Sequence, residues 1–542
     1  MQGLMMQWPL VLTHFLDRAR RLHHRRPIAS RHAGGVFRYS FGDWAGRVDR
    51  LAAALTALGV RRGDRVATFG WNTHRHFEAY FAIPCMGAVL HTMNVRLFPE
   101  QLAWVFNHAA DRVVLVDATL LPLFDRVRAQ LTSVEHVIVM GEAGEAPIDA
   151  GYLDYETLLA GAADRFDWPA LDEEEAAALC YTSGTTGHPK GVLYSHRALV
   201  LHTLGIALTD AFQMRERDVL LSIVPMFHAN AWGLPFAAAM LGCAVVLPGP
   251  HLQPKELADL IESEKVTFVG GVPTIVAGLY HHLVQEGRKV PTLRQIIVGG
   301  SALPRVLLEG FERELGVEVV HAWGMTELAP AGSVSRLRGE MEHWSKEAQT
   351  RVRLMQGTPF PLVELRIVRE DGAEAPWDGT TAGELQARGP WVVRQYYNDP
   401  ESDLRFDGEW FRTGDVAAID ELGYVRLVDR TKDMVKSGGE WISSVDLENA
   451  IMGHPQVAEA AVVAIPHSKW TERPLACVVP RQGKAAEITR DSIRAFLKGR
   501  VADWWLPDDV VVLETVPKTS VGKFDKKVLR ERFKDYAWPE AV

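Results

Sequence analysis

Short apolar runs alternate with amphipathic segments through the first half of the chain. Residues 12–22 carry apolar side chains three or four positions apart, which predicts a helix, and the same pattern predicts helices over 51–58 and 76–86. Short, continuously apolar runs between such segments favour buried strands. The predicted strands lie at 66–69, 113–116 and 137–140 in a first unit, and at 219–224, 244–247, 266–269 and 295–298 in a second. This alternation predicts an α/β fold with largely parallel sheets.

The pattern changes to short strands with close turns from about residue 357. Runs at 363–368, 383–387, 410–411 and 423–427 predict a small β-barrel or sandwich. The last stretch of about 110 residues, starting near residue 429, is predicted to form a compact α+β unit of domain size. We therefore predict a large N-terminal domain over 1–429, made of two α/β subdomains and the barrel, and a small α+β C-terminal domain over 430–542.

Composition and charge narrow the classes of partner. The chain has 542 residues, 59 Lys and Arg against 68 Asp and Glu, and a net charge of −9, without a basic block that would favour nucleic acid. No run of about 18 apolar residues predicts a membrane span, and the first residues lack the features of a signal peptide. The four cysteines are scattered without metal-ligand or disulfide spacing, so we expect a cytoplasmic protein.

One stretch, residues 181–191, concentrates glycines, hydroxyls and a lysine. Its glycines permit positive φ, so successive backbone N–H groups can converge on one anion. Its hydroxyl groups and its lysine add donors and positive charge. The residues are Thr182, Ser183, Gly184, Thr185, Thr186, Gly187, Lys190 and Gly191. The composition predicts a polyphosphate site.

Two other interpretations of this stretch are possible. A P-loop needs a glycine before the lysine, a Ser or Thr after it, and a helix at once. Here Pro189 precedes Lys190, Gly191 follows it, and 192–194 continue as a strand. The predicted order is strand, loop and strand, with a helix over 196–208 capped by Ser195. The second interpretation is a Gly/Thr-rich surface hairpin.

Further candidate segments follow in chain order. Residues 296–302 form an apolar strand that ends in a Gly-Gly-Ser turn, where α/β folds bind nucleotides, although such a turn can also serve only to reverse the chain. Residues 323–327 read Trp-Gly-Met-Thr-Glu, 413–415 read Thr-Gly-Asp, and 429–430 read Asp-Arg. Near the C-terminus, 517–527 read Pro-Lys-Thr-Ser-Val-Gly-Lys-Phe-Asp-Lys-Lys.

Together with 181–191, these segments resemble, in order, the motifs of the adenylate-forming superfamily of acyl-CoA synthetases, luciferases and peptide-synthetase adenylation domains. The resemblance implies that ATP, Mg²⁺ and coenzyme A bind here. It stacks adenine on Trp323, places the α-phosphate at Thr326, and has Glu327 hold Mg²⁺ beside Thr185. A hard cation prefers such carboxylate and phosphate oxygens. Gly324 of the same motif and Gly300 and Ser301 of the Gly-Gly-Ser turn are further candidate nucleotide-binding residues.

The same resemblance assigns the ribose hydroxyls to Asp415 and a nearby cation to Arg430. The family more often has Gly-Arg where this chain has Asp429 and Arg430, which is a departure. It also makes Lys523 the catalytic lysine, which would stabilise the charge that spreads over the α-phosphate and the leaving pyrophosphate. Lys432 would be the hinge of the small domain, which would bring Ser437, Gly438, Gly439, Glu440 and Trp441 toward the thiol of CoA.

Residues 224–234 resemble the acyl-binding region. Amino-acid-activating relatives keep an aspartate after the phenylalanine, whereas this chain has His228 after Phe227. An apolar acyl tail would therefore bind, with about 0.8 kcal/mol gained for each buried methylene. The candidate pocket residues are Phe227, His228, Trp232, Val298 and Gly299, and Trp232 is either a gate to the acyl tunnel or a core residue.

The whole chain, including residues 437–449, resembles bacterial medium- and long-chain fatty acyl-CoA synthetases most. We predict an ATP-dependent fatty acid–CoA ligase that makes acyl-AMP and then acyl-CoA, and relatives suggest a homodimer. Another acid-activating enzyme, such as an aryl-CoA ligase or a luciferase-like protein, is the first alternative. A catalytically inactive fatty-acid-binding protein is the second, although it would be expected to have lost Lys523 or Glu327, and both are present.

Overall fold

The computed structural model describes residues 1, 3–142, 151–182, 188–430, 433–437, 440–467, 469–519 and 524–539, with the backbone alone at 440. Its strands are β1 (Pro27–His32), β2 (Gly35–Ser40), β3 (Arg65–Phe69), β4 (Val89–Thr92), β5 (Val113–Asp117), β6 (His136–Met140), β7 (Leu153–Asp154), β8 (Ala176–Tyr181), β9 (Gly191–Ser195), β10 (Val219–Ser222), β11 (Ala244–Leu247), β12 (Phe268–Gly271), β13 (Gln295–Gly299), β14 (Glu318–Gly324), β15 (Ala331–Val334), β16 (Thr358–Pro359), β17 (Glu364–Val368), β18 (Gly383–Arg388), β19 (Phe406–Asp407), β20 (Trp410–Ile419), β21 (Val425–Arg430), β22 (Val435–Ser437), β23 (Glu440–Ile442), β24 (Val457–His467), β25 (Thr471–Pro480) and β26 (Asp509–Val512). Its α-helices are α1 (Thr13–Leu22), α2 (Phe41–Ala57), α3 (His74–Cys85), α4 (Pro99–Ala109), α5 (Leu121–Arg128), α6 (Tyr155–Gly161), α7 (His196–Ala207), α8 (Leu234–Leu241), α9 (Pro254–Ser263), α10 (Pro273–Gln285), α11 (Arg305–Gly310), α12 (Lys346–Leu354), α13 (Ser444–Met452), α14 (Arg490–Leu497) and α15 (Lys526–Arg532).

Two large sheets carry the N-terminal domain. The first has the order β7-β6-β5-β3-β4-β8-β9, and the second has the order β16-β15-β14-β13-β12-β10-β11-β1-β2. Neighbouring strands are parallel in the centre of both sheets, and the antiparallel pairs, such as β8 with β9, lie toward the edges. The α/β fold with largely parallel sheets is therefore confirmed.

The division between the two sheets does not follow chain order. The hairpin of β1 and β2 belongs to the second sheet, because β1 pairs in parallel with β11 through Ile28 and Val245. The alternation of apolar runs did not predict this hairpin, since the outer strand β2 has no fully buried residue. The first residues of the chain thus help to complete the sheet that otherwise begins after residue 200.

Helices α3 and α8 lie in the core between the sheets. All twelve residues of α3 are buried, and so are seven of the eight residues of α8. Glu78 of α3 is paired, since its carboxylate accepts from Arg47 Nε at 2.7 Å and from Tyr155 Oη at 2.6 Å. Burying such a charge without partners would be costly, so this pair lets α3 occupy the core.

The segment predicted as a small barrel is an antiparallel sheet in the described structure. Its order is β17-β18-β20-β19, and β21 also pairs with β20. The strands and their antiparallel pairing agree with the prediction. No hydrogen-bonded pairing joins the outer strand β17 to β21 among the described residues, so the sheet is open.

The small C-terminal domain combines a sheet with helices, as predicted. The long hairpin of β24 and β25 is its centre, with β26 and β22 also paired to β25. Helices α13 and α14 contribute Leu447, Ile451, Ile493 and Leu497 to one of its apolar cores. In the part of the chain that the structure describes, no helix is long and apolar enough to cross a membrane.

Candidate active site

A cavity of about 960 Å³ lies between the large and the small domain. Its walls include the ends of β13 and β14 in the second sheet, the residues that follow β8 in the first sheet, and part of β20. The carboxyl ends of parallel strands are where α/β folds place ligands. Residues of α13 and α15 complete the wall on the side of the small domain.

The glycine- and hydroxyl-rich stretch has a strand on each side, as predicted. Strands β8 and β9 pair up to Tyr181 and Gly191, and Thr182 N donates to Lys190 O at 2.9 Å. The helix α7 begins after β9 with Ser195, whose Oγ accepts from Ala198 N. The chain therefore does not enter a helix directly after Lys190, which rules out a P-loop. Ser183, Gly184, Thr185, Thr186 and Gly187 lie outside the described residues.

Lys190 is joined to the rest of the site by two residues that the sequence analysis did not identify. Its ammonium lies 2.7 Å from Asp399 Oδ2 and 4.9 Å from the centre of the Tyr396 ring. The Tyr396 hydroxyl donates to Glu327 Oε1 at 2.6 Å. The only signal in the sequence was the aromatic pair before the turn-forming Asn-Asp-Pro at 398–400.

Glu327 is a buried carboxylate that borders the cavity. It lies in a 3-10 turn over Thr326–Leu328, and the Tyr194 hydroxyl holds that turn by donating to Thr326 O at 2.6 Å. Burial raises the pKa of Glu327, and the hydrogen bond from Tyr396 acts in the opposite direction. Among the described residues no cationic side chain forms an ion pair with Glu327. Such a carboxylate fits a hard cation whose other ligands are phosphate oxygens and water.

The residues predicted for adenine and ribose are brought together by direct contacts. The indole nitrogen of Trp323 donates to Asp415 Oδ2 at 2.9 Å, and Arg430 Nε lies 3.2 Å from Asp415 Oδ1. Gly324 is required by packing, since a Cβ there would lie 1.9 Å from the Pro330 carbonyl oxygen. Gly300 and Ser301 line the same cavity. The predicted nucleotide residues therefore share one surface.

Three of the five predicted acyl-pocket residues line the cavity: His228, Trp232 and Gly299. A Cβ at Gly299 would lie 3.3 Å from the Trp232 ring, so a side chain there would press on the indole. Elsewhere the cavity wall includes Val272, Pro273, Ala277, Gly278 and Leu307, together with the polar residues Thr274 and His281.

Phe227 and Val298 are not part of that wall. Val298 precedes Gly299 on β13, and successive strand residues face opposite sides of a sheet, so its side chain packs into the core of the second sheet. Phe227 packs into the core of the first sheet, with its ring centre 6.2 Å from that of Trp71. The sequence showed that both positions were apolar but not which side they faced.

The small domain contributes residues on both sides of Lys523 to the cavity wall. Thr519 and residues 524–527 line the cavity, whereas Lys523 lies outside the described residues. Ser437 is instead buried in the small domain, where it accepts from Arg473 at 2.9 Å, and Trp441 is 40% exposed. Neither of them lines the cavity, and Lys432, Gly438, Gly439 and the side chain of Glu440 lie outside the described residues. Among the described residues, this domain arrangement therefore presents the flanks of the lysine motif, and not Ser437 or Trp441, to the cavity.

Comparison with known proteins gives matches along most of the chain. A family model described as AMP-binding enzyme matches residues 16–397, and one described as AMP-binding enzyme C-terminal domain matches 446–523. A long-chain-fatty-acid–CoA ligase from Thermus thermophilus is 50% identical over 98% of this chain and 97% of its own length. A 3-methylmercaptopropionyl-CoA ligase from Ruegeria pomeroyi is 45% identical over 99% of both chains. A medium-chain-fatty-acid–CoA ligase from Ectopseudomonas oleovorans is 43% identical over 99% of this chain and 98% of its own.

The fold is also similar to that of solved structures. The ATP-bound MatB from Rhodopseudomonas palustris superposes with a TM-score of 0.83 at 26% identity, over 97% of this chain and 99% of that chain. Both domains are therefore included in the similarity.

Proposed function

The chain belongs to the AMP-binding enzyme family, and from this premise we propose that it is an ATP-dependent fatty acid–CoA ligase. It activates a medium- or long-chain fatty acid as acyl-AMP, with release of pyrophosphate, and then transfers the acyl group to coenzyme A. The observation that carries the proposal is one cavity in which Trp323, Asp415 and Arg430 lie together with Lys190 and Glu327.

The contacts suggest a direction for ATP in this cavity. Asp415 would accept from the ribose hydroxyls beside Trp323, and the triphosphate would extend toward Thr182 and Lys190, whose charge suits phosphate. Glu327 and Thr185 would hold Mg²⁺, which would supply positive charge to the phosphate oxygens. Of these groups, Thr185 lies outside the described residues.

The first half-reaction forms a mixed anhydride. One carboxylate oxygen of the fatty acid attacks the α-phosphorus, the bond from that phosphorus to the bridging oxygen breaks, and pyrophosphate leaves with the bonding electrons. Lys523 would stabilise the negative charge that spreads over the phosphates in the transition state. In the second half-reaction the thiol of CoA attacks the acyl carbonyl carbon, loses its proton, and displaces AMP.

The second half-reaction needs room for the thiol near the acyl carbonyl. Because Thr519 and 524–527 line the cavity, we expect this part of the small domain to move before the thiol approaches. We infer that the domain rotates about Lys432 and brings the 437–441 segment, with Ser437 and Trp441, to the cavity. A hinge at a few loop residues is a common way to permit such a change.

Two features support the choice of acid. The cavity wall includes the apolar residues Trp232, Val272, Pro273 and Leu307, and by the family resemblance His228 stands where amino-acid-activating relatives have an aspartate. The 3-methylmercaptopropionyl-CoA ligase, at 45% identity, favours a short thioether acid as the second candidate. We also propose a cytoplasmic location, which is supported by four buried cysteines that form no disulfide. A homodimer is a further part of the proposal.

Pyrophosphate release measured over a panel of acids with ATP, Mg²⁺ and CoA tests the proposal. The panel contains acetate, straight-chain acids of increasing length, 3-methylmercaptopropionate, benzoate and amino acids. The expected result is a kcat/KM that rises from acetate toward medium and long chains, because each buried methylene adds about 0.8 kcal/mol. A preference for 3-methylmercaptopropionate would select the second candidate, and a preference for an amino acid or an aryl acid would contradict both.

A further inference from the structure

Two consecutive serines tie the small domain to the last strand of the large domain. Ser443 Oγ donates to Val428 O at 2.5 Å, and the backbone N and Oγ of Ser444 donate to Asp429 Oδ2 at 2.7 and 2.5 Å. Asp429 is fixed to the large domain, since it lies in β21 opposite Val416 of β20. Ser444 is the first residue of α13 in the small domain. These hydrogen bonds therefore cross the predicted boundary between the domains.

Lys526 extends this contact to the lysine motif. Its ammonium lies 2.6 Å from Ser444 Oγ and 2.7 Å from Glu448 Oε1. A serine hydroxyl has one proton, and Ser444 gives it to Asp429, so the ammonium donates to Ser444 Oγ. The hydrogen bonds thus run in one direction, from Lys526 through Ser444 to Asp429.

Burial makes this chain of contacts sensitive to the loss of any member. Asp429 is 4% exposed, Ser444 is fully buried, and the Lys526 side chain is 10% exposed. The carboxylates of Glu448 and Asp429 raise the pKa of Lys526 more than burial lowers it, so Lys526 keeps its charge. Removing one partner of such a buried charged set leaves the others poorly compensated.

We propose that Asp429 is a positioning residue for acyl-AMP formation: through Ser444 and Lys526 it holds the segment that carries Lys523 against the large domain. Lys526 begins α15, three residues after Lys523. Asp429 borders the cavity, but both of its oxygens are already engaged, Oδ1 by Arg430 N and Oδ2 by Ser444. Its observed hydrogen bonds are thus all to protein groups, which favours a role in holding the domain contact. The inference rests on the proposed function, since it assigns Asp429 to the first of the two half-reactions.

The positioning role of Asp429 can be tested with the full-length Asp429→Ala variant. The rates of the two half-reactions are measured separately. Acyl-AMP formation from ATP and the best acid should slow by about ten- to a hundredfold, the effect expected for losing a hydrogen bond to a charged group. The KM for ATP should stay unchanged, because the ribose and phosphate contacts remain. Transfer from supplied acyl-AMP to CoA should keep its rate, because that step does not use Lys523.

The decisive arm repeats the substitution in a Lys523→Ala background. If Asp429 acts through Lys523, Asp429→Ala should cause no further loss of acyl-AMP formation there, since coupled residues are not additive. Asp429→Asn, which keeps an acceptor for Ser444, should lose less than Asp429→Ala and serves as the test if the alanine variant does not fold. Asp509→Ala is the matched control, because Asp509 accepts a hydrogen bond from Tyr536 within the small domain and neither residue lines the cavity. It should not separate the two half-reactions.

Three results would overturn the positioning role. These are an equal loss in both half-reactions, no loss of acyl-AMP formation, or a further loss in the Lys523→Ala background. A rise in the KM for ATP together with that further loss would mean that Asp429 acts through Arg430 instead. If the wild-type protein released no pyrophosphate with any acid, the proposed function itself would be wrong. That result differs from the three results that would overturn only the role of Asp429.

Discussion

Single charged residues in the cavity have separate roles in the proposed function, some in binding ATP and others in stabilising the transition state. Asp415 is 4% exposed and contacts both Trp323 and Arg430, so we expect it to organise the adenosine end of the site. Lys190 is already paired with Asp399, and Arg430 with Asp415, so neither is a free cation. The transition state therefore calls for a further positive charge at the phosphates, and the flanks of the lysine motif point to Lys523 as its source.

The Lys523→Ala variant should lose acyl-AMP formation by about a hundred- to a thousandfold, the typical effect of removing one electrostatic donor at a developing charge. Thioester formation from supplied acyl-AMP should be spared, because no triphosphate reacts in that step. Rapid-quench measurement of each half-reaction checks both statements. Lys534→Ala, which removes a 59% exposed lysine paired with Glu531, is the control and should leave both rates unchanged. Equal losses in the two half-reactions would make Lys523 a structural residue.

Helix α7, which follows β9, carries a buried histidine. Ala331 N donates to His202 Nε2 at 3.2 Å, and burial lowers the pKa of His202 to about 3. An unfolded chain would titrate this histidine near its ordinary value of about 6.5. The stability that depends on the neutral ring is thus complete above pH 6.5 and is lost as the pH falls toward the folded-state value.

The His202→Gln variant should therefore be less sensitive to acid than the wild-type protein. Between pH 7 and pH 5 the free energy of unfolding of the wild type should fall by about 2 kcal/mol more than that of the variant. Urea unfolding at both pH values measures this difference. His343→Gln, at an exposed position, should follow the wild type. Parallel pH dependences of His202→Gln and wild type would show that His202 is not held neutral.

Elements with strong local patterns were predictable, and pairings between distant segments were not. The strands at 113–116 and 137–140 correspond to β5 and β6, and the helix after Ser195 starts at His196 as predicted. The hairpin of β1 and β2 was missed because β1 pairs with β11, more than 200 residues away. Gly299 and Val298 could not be told apart from the sequence. Neighbouring residues of a strand face opposite sides of the sheet, and only the structure shows that Gly299 faces the cavity and Val298 faces the core.

Tyr396 is a site residue that the sequence alone could not identify. It links Lys190 to Glu327 through contacts that form only when β9 and the turn at 326–328 meet the segment after β18. Nothing local distinguishes its aromatic ring from a core residue. The order and spacing of the motifs predicted the nucleotide residues, whereas residues that join motifs to one another required the fold.

At the scale of the whole molecule, one cavity must serve two reactions with different geometric needs. The present domain arrangement brings the flanks of the lysine motif to the cavity and keeps Ser437 and Trp441 away from it. Acyl-AMP formation suits this arrangement. Under the proposed rotation transfer to CoA uses another, and Lys432 stands in the sequence between β21 of the large domain and β22 of the small domain.

A proline at the hinge should separate the two reactions. Proline fixes φ near −65° and restricts the preceding residue, so Lys432→Pro should keep substantial acyl-AMP formation but lose overall acyl-CoA synthesis and transfer from supplied acyl-AMP. Lys432→Ala keeps the backbone free and should retain both half-reactions. Normal acyl-CoA synthesis by a folded Lys432→Pro protein would disprove rotation about this residue.

The most direct test of the account is a single-turnover experiment in which mass spectrometry follows acyl-AMP on the enzyme. Enzyme in excess is mixed with a long-chain fatty acid, ATP and Mg²⁺, and CoA is added only after the first products have formed. The account predicts acyl-AMP and pyrophosphate in equal amounts before CoA is added, and conversion of the acyl-AMP to acyl-CoA and AMP afterwards, with the pyrophosphate unchanged. Formation of ADP and phosphate, or acyl-AMP that persists after CoA is added, would contradict it.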